Sequence, residues 1–120
     1  MLTFYHAPGT RSGAVRWLLE ELQVPYELTI VDIRAQGGAP EEYRRIQPSK
    51  KVPAIVHDGV AVHERAAIFA YLCDAFPNAG LAPPIGDPRR GRSHESFPHG
   101  AAIRYFTITL PVMCGCTEQK

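Results

Sequence analysis

No cysteine precedes Cys73, no apolar run approaches the ~20 residues that cross a bilayer, and the formal net charge at pH 7 is only +1. The first absence removes redox chemistry that depends on a low-pKa cysteine early in the chain. The second, with an N-terminus that lacks the basic flank and long apolar stretch of a signal peptide, predicts a cytoplasmic protein without a membrane partner. The third leaves no global field for nucleic acid or anionic lipid, so a charged ligand has to be held by local groups and the expected partner is small. Cys73, Cys114 and Cys116 are odd in number and include a close Cys-x-Cys pair, which cannot supply a secreted-type disulfide framework; reduced thiols are expected. His6, His57, His63, His94 and His99 show no metal-ligand spacing with each other or with the cysteines. They read as unrelated surface histidines, and no metal is expected.

What is present is the composition of one globular domain: 120 residues, 45% hydrophobic and 21% charged. Leu2-Thr3-Phe4-Tyr5, stopped by His6-Ala7-Pro8-Gly9, suits a buried strand ending in a tight loop. From Ser12, a plausible N-cap, Val15, Leu18, Leu19 and Leu22 recur at i, i+3, i+4, i+7 with polar residues opposite, which predicts an amphipathic helix that Pro25 blocks. Residues 26–31 then read as a strand, so strand–helix–strand connectivity predicts a parallel pair. After Gln36-Gly37-Gly38-Ala39-Pro40 breaks the chain, residues 41–46 can form only a short helix. Ala54-Ile55-Val56-His57 and Val60-Ala61-Val62-His63 flank Asp58-Gly59, a turn pair that favours a type I′ hairpin. A last helix is expected from about Glu64, with Ile68, Tyr71, Leu72 and Ala75 on its buried stripe and Cys73 as a buried, inert thiol.

The order β-α-β-α-β-β-α gives an α/β fold, a mixed four-stranded sheet with helices over both faces, and thioredoxin-like domains have this order. Residues 1–76 are expected to be that domain. Pro83-Pro84, Gly86, Pro88 and Arg89-Arg90-Gly91-Arg92 make residues 77–92 read as an irregular linker. Residues 93–120 read as an irregular tail without helical periodicity, apart from a strand-like stretch over 103–110.

Val52-Pro53 opens a strand, where proline is tolerated because it cannot donate to the ladder. If that peptide is cis, the Val52 N–H and C=O turn outward and can pair with a peptide-like ligand as an added strand; the plain alternative is a trans proline that merely starts the strand. Glu64-Arg65 falls at the start of the last helix, where free N–H groups favour a carboxylate and the Glu64 side chain is placed to take an ammonium. Taken alone, Glu64 reads as a solvated acid complementing the helix dipole.

Together the Tyr5 loop, Arg16-Trp17-Leu18-Leu19-Glu20-Glu21-Leu22, Lys51-Val52-Pro53-Ala54-Ile55 and Glu64-Arg65-Ala66-Ala67-Ile68 resemble the front part of a cytosolic glutathione transferase, over residues 1 to about 91. The resemblance implies glutathione as co-substrate, bound by Val52, Glu64 and Arg65 with Pro53 cis, and attack of its thiol on a small electrophile. It also implies a hydroxyl near the sulfur. Tyr5 stands where tyrosine-type members keep that residue, Thr10 and Ser12 where serine-type members do, and Ser12 and Tyr5 are placed ahead of Thr10. Core packing for Tyr5 and plain capping for Ser12 are the structural alternatives. Arg11 reads either as a contact to the glycine carboxylate or as a surface charge. Family members usually carry serine where Arg65 stands, so Arg65 either clamps a carboxylate bidentately or points to solvent.

Such transferases continue into an all-helical domain that builds the electrophile pocket, and its pattern does not appear after Arg92. A shifted reading frame or truncated gene is the expectation for the tail, which leaves two functional readings: a transferase, or a non-catalytic glutathione-binding or interaction module. Homodimer and monomer are both compatible with the sequence.

Overall fold

The computed structural model describes residues 1–96. Four strands, β1 (Leu2–His6), β2 (Glu27–Ile30), β3 (Ala54–His57) and β4 (Val60–His63), form one sheet in the order β2-β1-β3-β4. β1 runs parallel to β2, with Phe4 opposite Leu28, and antiparallel to β3, with Phe4 opposite Ile55; β3 and β4 close the antiparallel hairpin. The sheet is therefore mixed and the fold thioredoxin-like. Among the described residues no helix is long and apolar enough to cross a membrane.

α1 (Gly13–Leu22) buries Val15, Leu18, Leu19 and Leu22, the stripe its periodicity predicts. It stops at Gln23, whose left-handed backbone lets its N–H bond the Glu20 carbonyl two residues before Pro25. α2 (Arg65–Ala75) buries Ile68, Phe69, Leu72 and Cys73. This corrects the expected stripe: Ala75 is exposed, and Tyr71 is half-buried with its hydroxyl on His57 Nδ1 at 2.7 Å. A helix that is apolar on every side has no single face for periodicity to find.

Strand alternation sends Leu2, Phe4 and Ile55 into one core with both α1 and α2, while Ala54, Tyr5 and Val52 meet Val31, Ala39 and Tyr43 on the opposite side. Both α-helices thus share one face, and the other is covered by the segment that carries the 3₁₀ helix Glu41–Arg45. Pro40 precedes that turn, and Tyr43 is its only buried side chain.

A third helix, α3 (Arg89–Ser96), runs across the expected boundary between linker and tail at Arg92. The Arg89 N–H bonds Asp87 Oδ1 at 2.9 Å and Pro88 precedes the first turn, a start signal hidden among prolines. Arg90 ties α3 to α2 through an ion pair with Asp74, and also donates to the Pro83 carbonyl at 2.6 Å. Residues 103–110, Cys114, Cys116 and His99 lie outside the described residues.

The hairpin turn has Asp58 at φ 48° and Gly59 at φ 84°, both positive as a type I′ turn requires. A Cβ on Gly59 would meet nothing within 4 Å, so a substitution there costs backbone conformation alone. Gly59→Ala is expected to lower stability by about 1–2 kcal/mol, read as a shifted urea midpoint with an unchanged slope. No shift would mean that the turn does not hold the hairpin.

Burial pushes the Cys73 thiol up to about 11, with Arg90 pulling weakly the other way. With Cys114 and Cys116 replaced by serine, Cys73 should react with an aromatic disulfide at pH 8 about 100-fold more slowly in the folded chain than in denaturant. Equal rates would contradict its burial.

Candidate functional site

The loop from the 3₁₀ helix into β3 is held at Lys51: its carbonyl accepts the Tyr43 hydroxyl at 2.8 Å and its N–H reaches Gln47 Oε1 at 3.4 Å. Burial first, and the neighbouring Tyr5 second, push Tyr43 up to about 12, so its hydroxyl keeps the proton it donates. The Val52–Pro53 peptide that follows is cis. Among the described residues neither the N–H nor the C=O of Val52 has a hydrogen-bond partner. In a half-buried residue, such groups are open to a ligand.

Facing this backbone is the start of α2. Glu64 occupies the N-cap at φ 71° with no side-chain capping bond, a left-handed conformation that is costly for a residue with a Cβ. Its carbonyl accepts from Ile68 N–H at 2.9 Å, which starts the helix, while its carboxylate stays exposed. Between the two lies a cleft of about 300 Å³. Its walls are Gln47, Lys51, Val52 and Pro53 on one side and Glu64, Arg65 and Ala66 on the other, with Arg11 from the β1–α1 loop. Three cations and one carboxylate therefore share one small volume.

Of the residues expected from the sequence, the cleft brings together Arg11, Val52, Pro53, Glu64 and Arg65 and leaves Tyr5, Thr10 and Ser12 outside its walls. Tyr5 is half-buried, its ring 5.4 Å from that of Tyr43. Ser12 stands at the α1 N-cap position, its carbonyl accepting from Val15 and Arg16, yet its hydroxyl does not cap. It is fully buried and turned toward His6, Ala7 and Thr10. His6 is 5% exposed, which corrects its reading as a surface histidine. Burial, and then Arg16, hold its pKa below the ordinary imidazole value.

Gln47, Lys51 and Ala66 are cleft residues that the sequence reading did not assign. Lys51 directly precedes Val52-Pro53, and that adjacency is its signal; Gln47 lies in a segment without periodicity and carries none.

The family profile described as glutathione S-transferase, N-terminal domain, matches residues 11–75, which include every residue lining the cleft. The chain belongs to this family. Glutathione S-transferase 3 of Schizosaccharomyces pombe is 43% identical over 72 residues, covering 60% of this chain and 29% of its own. Among solved structures, a glutathione transferase from Methylococcus capsulatus superimposes with a TM-score of 0.72 at 31% identity, over 84% of this chain and 51% of that one. A sphingomonad glutathione S-transferase complexed with glutathione gives 0.71 at 28% identity, over 98% and 59%. The chain thus spans 29% of that yeast transferase and 51–59% of the two crystal structures.

Proposed function

We propose that the cleft binds glutathione and that the chain activates the bound thiol for attack on a small electrophile. The observation that carries this reading is the open Val52 backbone beside the cis proline, faced by a helix start where Glu64 shares the cleft with the cations Arg11, Lys51 and Arg65. Glutathione presents two carboxylates, one ammonium and a peptide backbone. Its cysteinyl residue pairs with Val52 as a short added strand. The γ-glutamyl carboxylate meets the first-turn N–H groups and dipole of α2, and Glu64 takes the ammonium. Arg11 is left for the glycine carboxylate, and Arg65 lines the same wall as Glu64.

A cysteine thiol has a pKa near ~8.5, so at neutral pH most of it is the weak nucleophile, and a hydroxyl donating to the sulfur shifts the balance to thiolate. Tyr5, Thr10 and Ser12 are the candidate donors. Two assays test the reading together: calorimetric titration with glutathione, and conjugation of glutathione to a chloro-nitroarene. Saturable binding with turnover supports the transferase. Because the chain spans only part of its relatives' length, the second reading is a glutathione-binding or interaction module without catalysis, which binding without turnover would leave as the only one. Absence of binding would defeat both.

A further inference from the structure

Three short contacts run in series through the β1–α1 loop that carries Arg11 to the cleft. His6 Nδ1 lies 2.6 Å from Ser12 Oγ, Ser12 Oγ lies 2.6 Å from Thr10 Oγ1, and Thr10 Oγ1 lies 2.6 Å from the Ala7 carbonyl oxygen. Contacts this short between polar atoms need a proton in each. The Ala7 carbonyl can only accept, so the Thr10 proton belongs to that contact. The Ser12 proton then fills the contact to Thr10, and the proton between Ser12 and the ring has to come from His6. Sending the Ser12 proton to the ring, or to the Ala7 oxygen at 3.2 Å, leaves one of the 2.6 Å contacts with two facing lone pairs and no proton. Three protons fill three contacts in only one direction.

We infer that His6 is a positioning residue: its Nδ1–H heads the chain His6 to Ser12 to Thr10 and thereby makes Thr10 the hydroxyl that donates to the glutathione sulfur. This rests on the glutathione reading above. Ser12 is fully buried and its hydroxyl is enclosed by His6, Thr10 and both backbone groups of Ala7, so a ligand atom does not reach it. Thr10 is half-buried and directly precedes Arg11, which lines the cleft. When the bound thiol releases its proton to solvent, the Thr10 hydroxyl moves away from the Ala7 carbonyl, so that no short contact is left without a proton, and its O–H turns to the sulfur, a charged acceptor that binds it more strongly than the neutral carbonyl did. Thr10 keeps its proton throughout. Ser12 and His6 remain donors behind it, and each bond of such a series strengthens the next. The opposite tautomer would reverse the series and draw the hydroxyl protons away from the cleft. Arg16 on α1 and the burial of the ring both oppose a second proton on His6, which keeps the bare nitrogen at Nε2.

The first test needs no ligand. Nitrogen NMR of the imidazoles in the whole chain should show His6 protonated at Nδ1 and bare at Nε2; the Nε2–H tautomer would overturn the inference. The second test follows thiolate absorbance of bound glutathione against pH, with the affinity for S-methyl glutathione as a control independent of sulfur charge. His6→Leu should raise the apparent thiol pKa by about one unit while that affinity stays within about twofold. His6→Asn, which keeps an N–H donor near the Nδ1 position, should recover most of the shift. Thr10→Val should raise the pKa by a similar amount, and adding His6→Leu to it should change little further. If S-methyl glutathione does not bind the parent chain, the glutathione reading falls and this inference with it. If it binds and neither His6→Leu nor Thr10→Val moves the pKa, the inference alone falls. Should His6→Leu fail to fold, the tautomer and the Thr10→Val shift decide.

Discussion

Replacing Glu64 with alanine should weaken glutathione binding by about 2–5 kcal/mol, a loss of roughly 30- to 5,000-fold in affinity. The size follows from what is left behind. Among the described residues that line the cleft Glu64 is the only acid, beside Arg11, Lys51 and Arg65, so without it the ligand's ammonium is desolvated near three cations with no anion to receive it. Glu64→Gln separates charge from shape and should lose most of the same affinity. The backbone makes a further distinction. Glu64 sits at φ 71°, and alanine there keeps the unfavourable left-handed conformation, whereas glycine relieves it. Glu64→Gly is therefore expected to raise stability by about 1 kcal/mol while binding glutathione as poorly as Glu64→Ala. Calorimetric titration and urea unfolding of the three variants read the two effects separately. Unchanged dissociation constants in Glu64→Ala and Glu64→Gln would remove the carboxylate from the site.

The second large effect concerns the core. Phe4→Ala should cost about 3–5 kcal/mol, set against the ~5–15 kcal/mol that holds a small domain together. Phe4 has no exposed surface, lies between Leu28 and Ile55 on the sheet, and packs under α1 and α2. Its ring meets Tyr26 edge-on at 6.2 Å between centroids and the His6 ring at 5.4 Å. Few atoms can move into the space it would leave, because it sits in the middle of the sheet and both helices bear on it. Urea unfolding should show the midpoint falling by a third or more. A loss below about 1 kcal/mol would mean that the α1–α2 face of the sheet is not the main core.

The sequence was most informative where polar and apolar residues alternate with a clear contrast. Arg16, Glu20 and Glu21 lie opposite Val15, Leu18, Leu19 and Leu22, so α1 could be placed and its buried face named. Asp58-Gly59 between two β-branched runs located the hairpin. Contrast is missing in α2, where Ala66, Ala67, Ile68, Phe69, Ala70, Tyr71, Leu72 and Cys73 follow one another, and only packing decides that Phe69 goes inward while Ala75 does not. α3 was missed for the opposite reason: its residues are mostly polar, and its start depends on Asp87 and Pro88, two residues that also mark a loop.

His6 was legible and overlooked. It alternates with Leu2 and Phe4 on one strand, and a period of two sends all three to the same buried face. In the cleft, Val52-Pro53 and Glu64-Arg65 could be recognised because each has a reason tied to its own position, a proline at a strand start and an acid at a helix start. Gln47 reaches the same cleft only because the irregular chain before β3 folds back on itself, with Gln47 and Tyr43 both bonded to Lys51. No spacing rule describes that path.

The central claim is that the cleft between Val52-Pro53 and the start of α2 is a glutathione site, and amide NMR of the labelled chain during a glutathione titration tests it most directly. Saturable shifts concentrated at Arg11, Gln47, Lys51, Val52 and residues 64–66 are expected, with Asp58 and Gly59 at the far end of β3 unmoved. An unchanged spectrum at millimolar glutathione, or saturable shifts confined to residues outside the cleft, would contradict it.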